Sequence, residues 1–215
     1  MDKISEKARS IWKSERLTYR AADPNDKELQ AWFQTHMYDN PEMVTLSTNL
    51  LAKPRDSKQC NELLLDTLTG CLLGALIYLP ATETAGAAAP KAAGSSQRQQ
   101  GTDKLIGLIV LSSQSPMMLH TRASSIGVVL DGGYVSKGYG TEALAWLVDW
   151  GFRFANLHRI ALTVNSFNER AVSAYEKLGF VVEGRARETV YFDRQWYDRL
   201  YMSILEQEWE AQRSK

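Results

Sequence analysis

The sequence predicts a mixed α/β fold, with strands arranged mostly in hairpins and helices inserted between them. Three observations carry this. The chain has 215 residues, 44% of them hydrophobic, which suits one domain with a real core. Short apolar or alternating runs follow one another without the regular strand–helix alternation of a parallel sheet. Near the middle, Ile126-Gly127-Val128-Val129-Leu130 leads into Gly138-Tyr139-Gly140-Thr141-Glu142-Ala143-Leu144, in the order strand, glycine turn, helix.

Residues 1–14 read as a polar lead-in. Leu17 to Arg20 alternates and predicts a first strand. Asp23-Pro24-Asn25-Asp26 is a turn that caps a helix carrying Leu29, Trp32 and Phe33 at helical spacing. Residues 39–57 read as irregular, with Pro41 and Pro54 as breaks. Gln59 to Leu68 is a second helix and Cys71 to Leu79 a buried strand. Ala81 to Thr102 is dominated by Ala, Gly, Ser, Gln and Thr, so it cannot bury enough apolar area to order itself. A flexible insertion in a hairpin loop is expected there. Strands follow at Leu105–Leu111 and Ser124–Leu130. Thr141–Ala155 is a helix apolar almost all round, hence buried. Arg159–Val164 alternates as a strand. Glu169–Leu178 is a helix stopped by Gly179. Phe180–Glu183, Glu188–Phe192 and Leu200–Leu205 complete the strands. The domain is expected to span 15–209, with 210–215 as a tail.

Lys plus Arg and Asp plus Glu are 25 each, so the formal charge is zero. A duplex-binding protein usually advertises a basic surface, and no nucleic-acid partner is expected. Cys60 and Cys71 fit neither a zinc pattern nor a disulfide framework, so no metal is expected and both read as reduced thiols. No secretory signal and no stretch of membrane-spanning length is visible. The expectation is a cytoplasmic protein, monomer or homodimer.

Two constellations carry chemistry. In Val135-Ser136-Lys137-Gly138-Tyr139-Gly140-Thr141, main-chain N–H groups at a helix N-terminus suit a pyrophosphate. A tight connection with no ligand is the alternative on these residues alone. The pattern is neither a P-loop, since the Gly-Lys-Ser/Thr ending is missing, nor a dinucleotide fingerprint, since the third glycine is absent. Downstream, Asn168 is placed to cap a short helix, and Tyr175 lies two turns along it. Its hydroxyl is either functional or that of an ordinary core aromatic.

Taken together, these segments resemble the GNAT family of N-acetyltransferases over residues 103–209 and, less fully, over Leu17 to Trp32. Gly138 to Leu144 is similar to that family's acetyl-CoA motif, and Asn168 to Phe180 to its second cofactor motif. The tail from Glu183 to Glu188, then Trp196-Tyr197-Asp198, Met202 and Glu208-Trp209, resembles the branch of ribosomal-protein N-terminal acetyltransferases and spermidine acetyltransferases. So does His120-x-Arg122. Val135 stands where the family often has Arg or Gln, and a Glu often found near Ser125 is missing. The stretch Asn40 to Leu50 has only Glu42, against the acidic cluster of spermidine acetyltransferases.

The resemblance implies a central, mostly antiparallel twisted sheet of six to seven strands, about four flanking helices and a V-shaped cofactor cleft. It implies acetyl-CoA as cosubstrate and direct transfer of the acetyl group to a primary amine, on a protein N-terminus or a small molecule. Ser136, Lys137, Gly138, Tyr139, Gly140 and Thr141 would hold the pyrophosphate, with Val135 giving its backbone amide. Backbone N–H groups of Val128, Val129 and Leu130 would polarise the thioester carbonyl. Asn168 and Lys177 are further cofactor contacts, and Tyr175 is the expected general acid. Glu142 is not expected to be a base, because acids are common in a first helical turn. Asp193, Glu183 and Tyr201 stay open as bases. Segments 34–57 and 191–198, with Tyr191, Phe192, Trp196 and Tyr197, are expected to line the acceptor groove; alternatively those rings pack a hairpin or a dimer contact. The competing readings are an inactive acyl-CoA-binding regulator and a plain interaction domain.

Overall fold

The first strand, β1 (Thr18–Ala21), pairs along its whole length with β2 (Cys71–Leu79), and between them in sequence lie three helices. These are α1 (Lys27–Phe33), α2 (Pro41–Ser47) and α3 (Ser57–Thr69), with a π-helical turn at Gln34–Tyr38. The computed structural model describes residues 4, 5, 8, 10–48, 50–81 and 103–213. The flexible insertion expected over 81–102 lies, from residue 82 on, outside the described residues.

Each early helix starts on a side-chain cap. Asp26 accepts from Glu28 N at 2.9 Å, Asn40 from Glu42 N at 3.1 Å, and Asp56 from Gln59 N at 2.8 Å. The second corrects the sequence reading of 39–57 as irregular. Pro41 occupies the first position of α2, where a missing N–H costs nothing, so it begins a helix instead of breaking one.

The chain continues through β3 (Lys104–Ser112), β4 (Ala123–Leu130), α4 (Tyr139–Arg153), β5 (Arg159–Asn165), α5 (Glu169–Lys177), β6 (Val181–Phe192), β7 (Gln195–Leu205) and α6 (Glu206–Arg213). The seven strands form one sheet in the order β1-β2-β3-β4-β5-β7-β6. Every neighbouring pair is antiparallel except β4 and β5. The helix α5 ends as the sequence predicts: Gly179 takes φ 90°, Gly179 N bonds Glu176 O at 2.9 Å, and Phe180 N bonds Tyr175 O at 3.0 Å.

Three short C-terminal strands were expected, and two long ones are found. The turn Asp193-Arg194, both residues at positive φ, joins β6 to β7 as a tight hairpin. Register shifts between Val182 and Gly184 and between Ala186 and Val190 interrupt the alternation of β6. Polar residues therefore fall on both of its faces, and the period-2 signal that marks a strand is lost.

The core lies in two layers. Ala75, Ile77, Ile109 and Leu111 face α4, with Leu147, Val148 and Phe152 behind them. Leu76, Leu108 and Val110 point the other way, against Leu29, Phe33, Met43, Val44 and Leu64 of α1 to α3. Beyond β4 only one face is filled, by Ile160, Leu162, Leu200, Met202 and Ile204. Helix α4 is less enclosed than its composition suggests, since Phe154 just past its end is 46% exposed. Its outer side is met by the N-terminal segment: Trp146 stacks on Tyr19 and donates from Nε1 to Ile11 O at 2.8 Å.

Candidate active site

The one parallel pairing creates the site. β4 and β5 pair only from Ala123–Arg159 to Ser125–Ala161 and then part. β4 stays bonded to β3 as far as Leu130, and β5 to β7 as far as Asn165. From Ile126 to Leu130 the β5-facing edge of β4 therefore has no strand partner, which leaves backbone polar groups open at alternate residues. A cavity of about 450 Å³ fills the gap.

At one end of the cavity lies the glycine turn. Ser136 and Gly138 take φ 62° and 84°, which turns the chain sharply into α4. No side chain caps α4, and its first internal bond runs from Glu142 N to Gly138 O at 3.0 Å. The N–H groups of Tyr139, Gly140 and Thr141 thus have no acceptor within the helix, and the positive end of the helix dipole faces the same way. Gly140 is glycine for a second reason, because a Cβ there would stand 2.9 Å from Leu130 Cδ1. It lets α4 seat closely on β4.

Of the residues singled out from sequence, Val128, Leu130, Val135, Ser136, Gly138, Gly140, Thr141, Asn168, Tyr175 and Lys177 line this cavity. Three side chains turn elsewhere, leaving only their main chain near it. Val129 packs against the α1–α3 layer, by strand alternation. The Lys137 ammonium lies 5.3 Å from the Tyr134 ring, and Tyr139 packs beneath Arg16.

Tyr175 meets Phe180 edge-on at 5.9 Å. Burial pushes its hydroxyl up to about 12, so it stays protonated at any neutral pH. Asn168 is engaged at both ends of its amide: Oδ1 accepts from Ala171 N at 3.2 Å, and Nδ2 donates to Leu46 O at 3.3 Å. Asn165 repeats the motif, donating to Thr45 O at 3.2 Å. One amide from the end of β5 and one from the cap of α5 thus clamp the C-terminal carbonyls of α2. This brings Met43, Leu46 and Ser47 into the cavity wall. They belong to segment 34–57, which was expected to line a groove but was read as irregular from residue 39 on, although Asn40-Pro41-Glu42 spells a helix start.

The carboxylates are engaged elsewhere. Glu142 accepts from Ser14 Oγ at 2.6 Å, Arg16 N at 2.7 Å and Arg16 Nε at 2.8 Å. Burial pushes its carboxyl up, but these donors outweigh burial and hold it below the usual range. Glu183 is held down to about 2 by hydrogen bonds from Arg159 and Ser203. Asp193 sits at the tip of the hairpin, and Tyr201 on its exposed face. No Asp or Glu among the described residues lines the cavity. At the hairpin tip Tyr191 packs on Trp196 and both stand exposed, while Tyr197 meets Phe167 edge-on at 4.9 Å.

Comparison with known proteins agrees with this geometry. The acetyltransferase (GNAT) domain profile matches residues 16–181. An uncharacterized N-acetyltransferase, YnaD, of Bacillus subtilis is 36% identical over 84 residues, 39% of this chain and 49% of that protein. The putative ribosomal N-acetyltransferase YdaF of the same organism is 30% identical over 109 residues, 51% of this chain and 58% of that one. The spermidine N(1)-acetyltransferase of Escherichia coli is 32% identical over 94 residues, 44% of this chain and 50% of that one. The chain spans about half the length of these relatives. In fold it is similar to the spermidine N-acetyltransferase of Vibrio cholerae solved with CoA and spermine, with a TM-score of 0.69 at 20% identity over 92% of this chain and 99% of that one. With the profile matched across most of its length, the chain belongs to the GNAT acetyltransferase family.

Proposed function

We propose that the protein transfers the acetyl group of acetyl-CoA directly to a primary amine. One observation carries this reading: an unpaired strand edge and an uncapped helix N-terminus open on the same cavity. Bound acetyl-CoA would supply an activated thioester and a pyrophosphate. The amides of Ser136 to Thr141 would hold the pyrophosphate, with Lys177 adding positive charge at the cavity wall. The free edge of Val128 to Leu130 would pair with the pantetheine arm and place an N–H on the carbonyl oxygen where negative charge develops.

Tyr175 would face the leaving sulfur. Its hydroxyl, which burial keeps protonated, is available there as a donor. Its role is then hydrogen-bond donation to the sulfur as charge builds there. With no carboxylate on the cavity wall, the amine must arrive neutral; its adduct would then shed the ammonium proton to water as the carbon–sulfur bond breaks, and the thiolate would take a proton back from solvent. At neutral pH about 10% of an α-amine is neutral, against well under about 0.1% of an alkyl ammonium. This favours a protein or peptide N-terminus over a polyamine as acceptor.

Calorimetric titration with CoA, followed by thiol release from acetyl-CoA across a panel of amines, tests the proposal. Binding with amine-dependent release is expected. Tyr175→Phe should keep CoA affinity and lower kcat by roughly 100-fold or more. Binding without release in the presence of any amine would favour an acyl-CoA-binding regulator instead.

A further inference from the structure

Arg199 carries a charge that the fold leaves unanswered. Its Nε is buried with no hydrogen-bond partner, and its nearest acceptor, Asn165 Oδ1, lies 3.5 Å from Nη2, at the limit of a hydrogen bond. Among the described residues no carboxylate pairs with it. Its chain neighbour Asp198 points to the other face of β7 and is taken, holding Arg185 at 2.9 Å and Glu188 N at 3.0 Å. On the same strands Arg159 holds Glu183. Arg199 as a whole is half-buried, so its charge has lost part of its water without gaining a counter-ion, and such a residue suits an anion that the chain itself does not supply.

The register says where that anion would be. Thr163 pairs with Tyr201, and Asn165 with Arg199, so all four stand on one face of the sheet. Thr163 lines the cavity, and Asn165 reaches the end of α2, whose Leu46 and Ser47 line it too. Arg199 thus stands on β7 opposite the last residue of β5, behind the end of α2 that lines the cavity. That end of the cavity is left for the acceptor once the turn holds the donor.

We propose that Arg199 selects the acceptor, and that the acceptor carries a carboxylate near its amine; this rests on the acetyl-transfer reading above. The guanidinium would bind the carboxylate, and the same charge would repel a polycation.

The test measures thiol release with matched acceptors whose α-amines titrate alike: tripeptide amides bearing Asp or Asn second, tripeptide amides bearing Asp or Asn third, and spermidine. The carboxylate member of at least one pair should exceed its neutral partner about tenfold or more in kcat/KM, with spermidine poorest. Arg199→Gln should bring the pair to within about twofold and leave the KM for acetyl-CoA unchanged, while Arg199→Lys keeps part of the preference. Equal rates within each pair, a preference for spermidine, or a preference that survives Arg199→Gln would overturn the assignment while leaving acetyl transfer intact. No CoA binding and no thiol release with any amine would overturn both.

Discussion

The two ends of the cleft, the one proposed for the donor and the one proposed for the acceptor, are built from different materials. The donor end is main chain: an open strand edge, a turn at positive φ and a helix without a cap, all within residues 126–141. The acceptor end is side chain: Asn165 and Asn168 hold the carbonyls of α2, and Arg199 lies beside them. A main-chain site needs particular backbone conformations, and only a few residues adopt them. A side-chain site needs three distant segments in register, and each can look ordinary by itself. The sheet divides the same way. Strands β2 and β3 carry apolar core on both faces, whereas the apolar core of β5 and β7 lies on one.

The sharpest way to break the donor end is at Gly138. Its φ of 84° suits glycine, and a Cβ there would stand 3.2 Å from Arg16 Nη2. A β-branched residue costs about 1–2 kcal/mol in that conformation and forces the turn to re-form. Gly138→Val should weaken CoA by more than about 100-fold, because the loss falls on several amides at once and each charge-assisted bond contributes about 1.5–3 kcal/mol. Calorimetry with CoA, alongside an unchanged far-ultraviolet spectrum, checks this. Affinity retained in a folded variant would mean that the turn does not hold the phosphates.

This asymmetry explains what was legible in the sequence. Gly138 and Gly140, following an apolar run, announce a strand–turn–helix, and Asn168 with Gly179 brackets α5. Both signals are local and backbone-made. The helical form of α2 was hidden because Pro41 reads as a breaker unless Asn40 is recognised as the cap before it. Arg199 was hidden because nothing in Trp196-Tyr197-Asp198-Arg199 says which of two adjacent charges is paired. That follows from the register of β7 against β5 and β6, a long-range fact. β6 was broken into pieces for the same reason, since its register shifts depend on its partner and not on its own residues.

A smaller effect is expected at Glu142, which supports the donor end without touching a ligand. Its carboxylate ties Ser14 and Arg16 to the first turn of α4. Glu142→Gln leaves those donors short of a charged acceptor and should cost on the order of 2 kcal/mol. The folded carboxyl lies below its ordinary value, so its stabilisation is present above the unfolded value near about 4.3 and is lost as pH falls through the folded one. Thermal melts should show a gap between native and variant that is constant from pH 8 to about 5 and narrows below that, once the Glu142 carboxylate takes up its proton. A gap that persists unchanged to about pH 3 would mean that the charge of Glu142 contributes nothing.

The smallest effect is expected at Val135, and it bears most directly on the comparison. Its side chain lines the cavity, and its backbone is extended, with φ −68° and ψ 158°, just ahead of Ser136. If main chain holds the phosphates, Val135→Ala removes two methyl groups from the wall but no donor, and it should change CoA affinity by less than about threefold. Val135→Arg adds a guanidinium beside the turn, and should tighten CoA in a way that fades as salt rises. A large loss in Val135→Ala would show that the wall of the donor end is read through side chains as well, and the contrast between the two ends would fail at that residue.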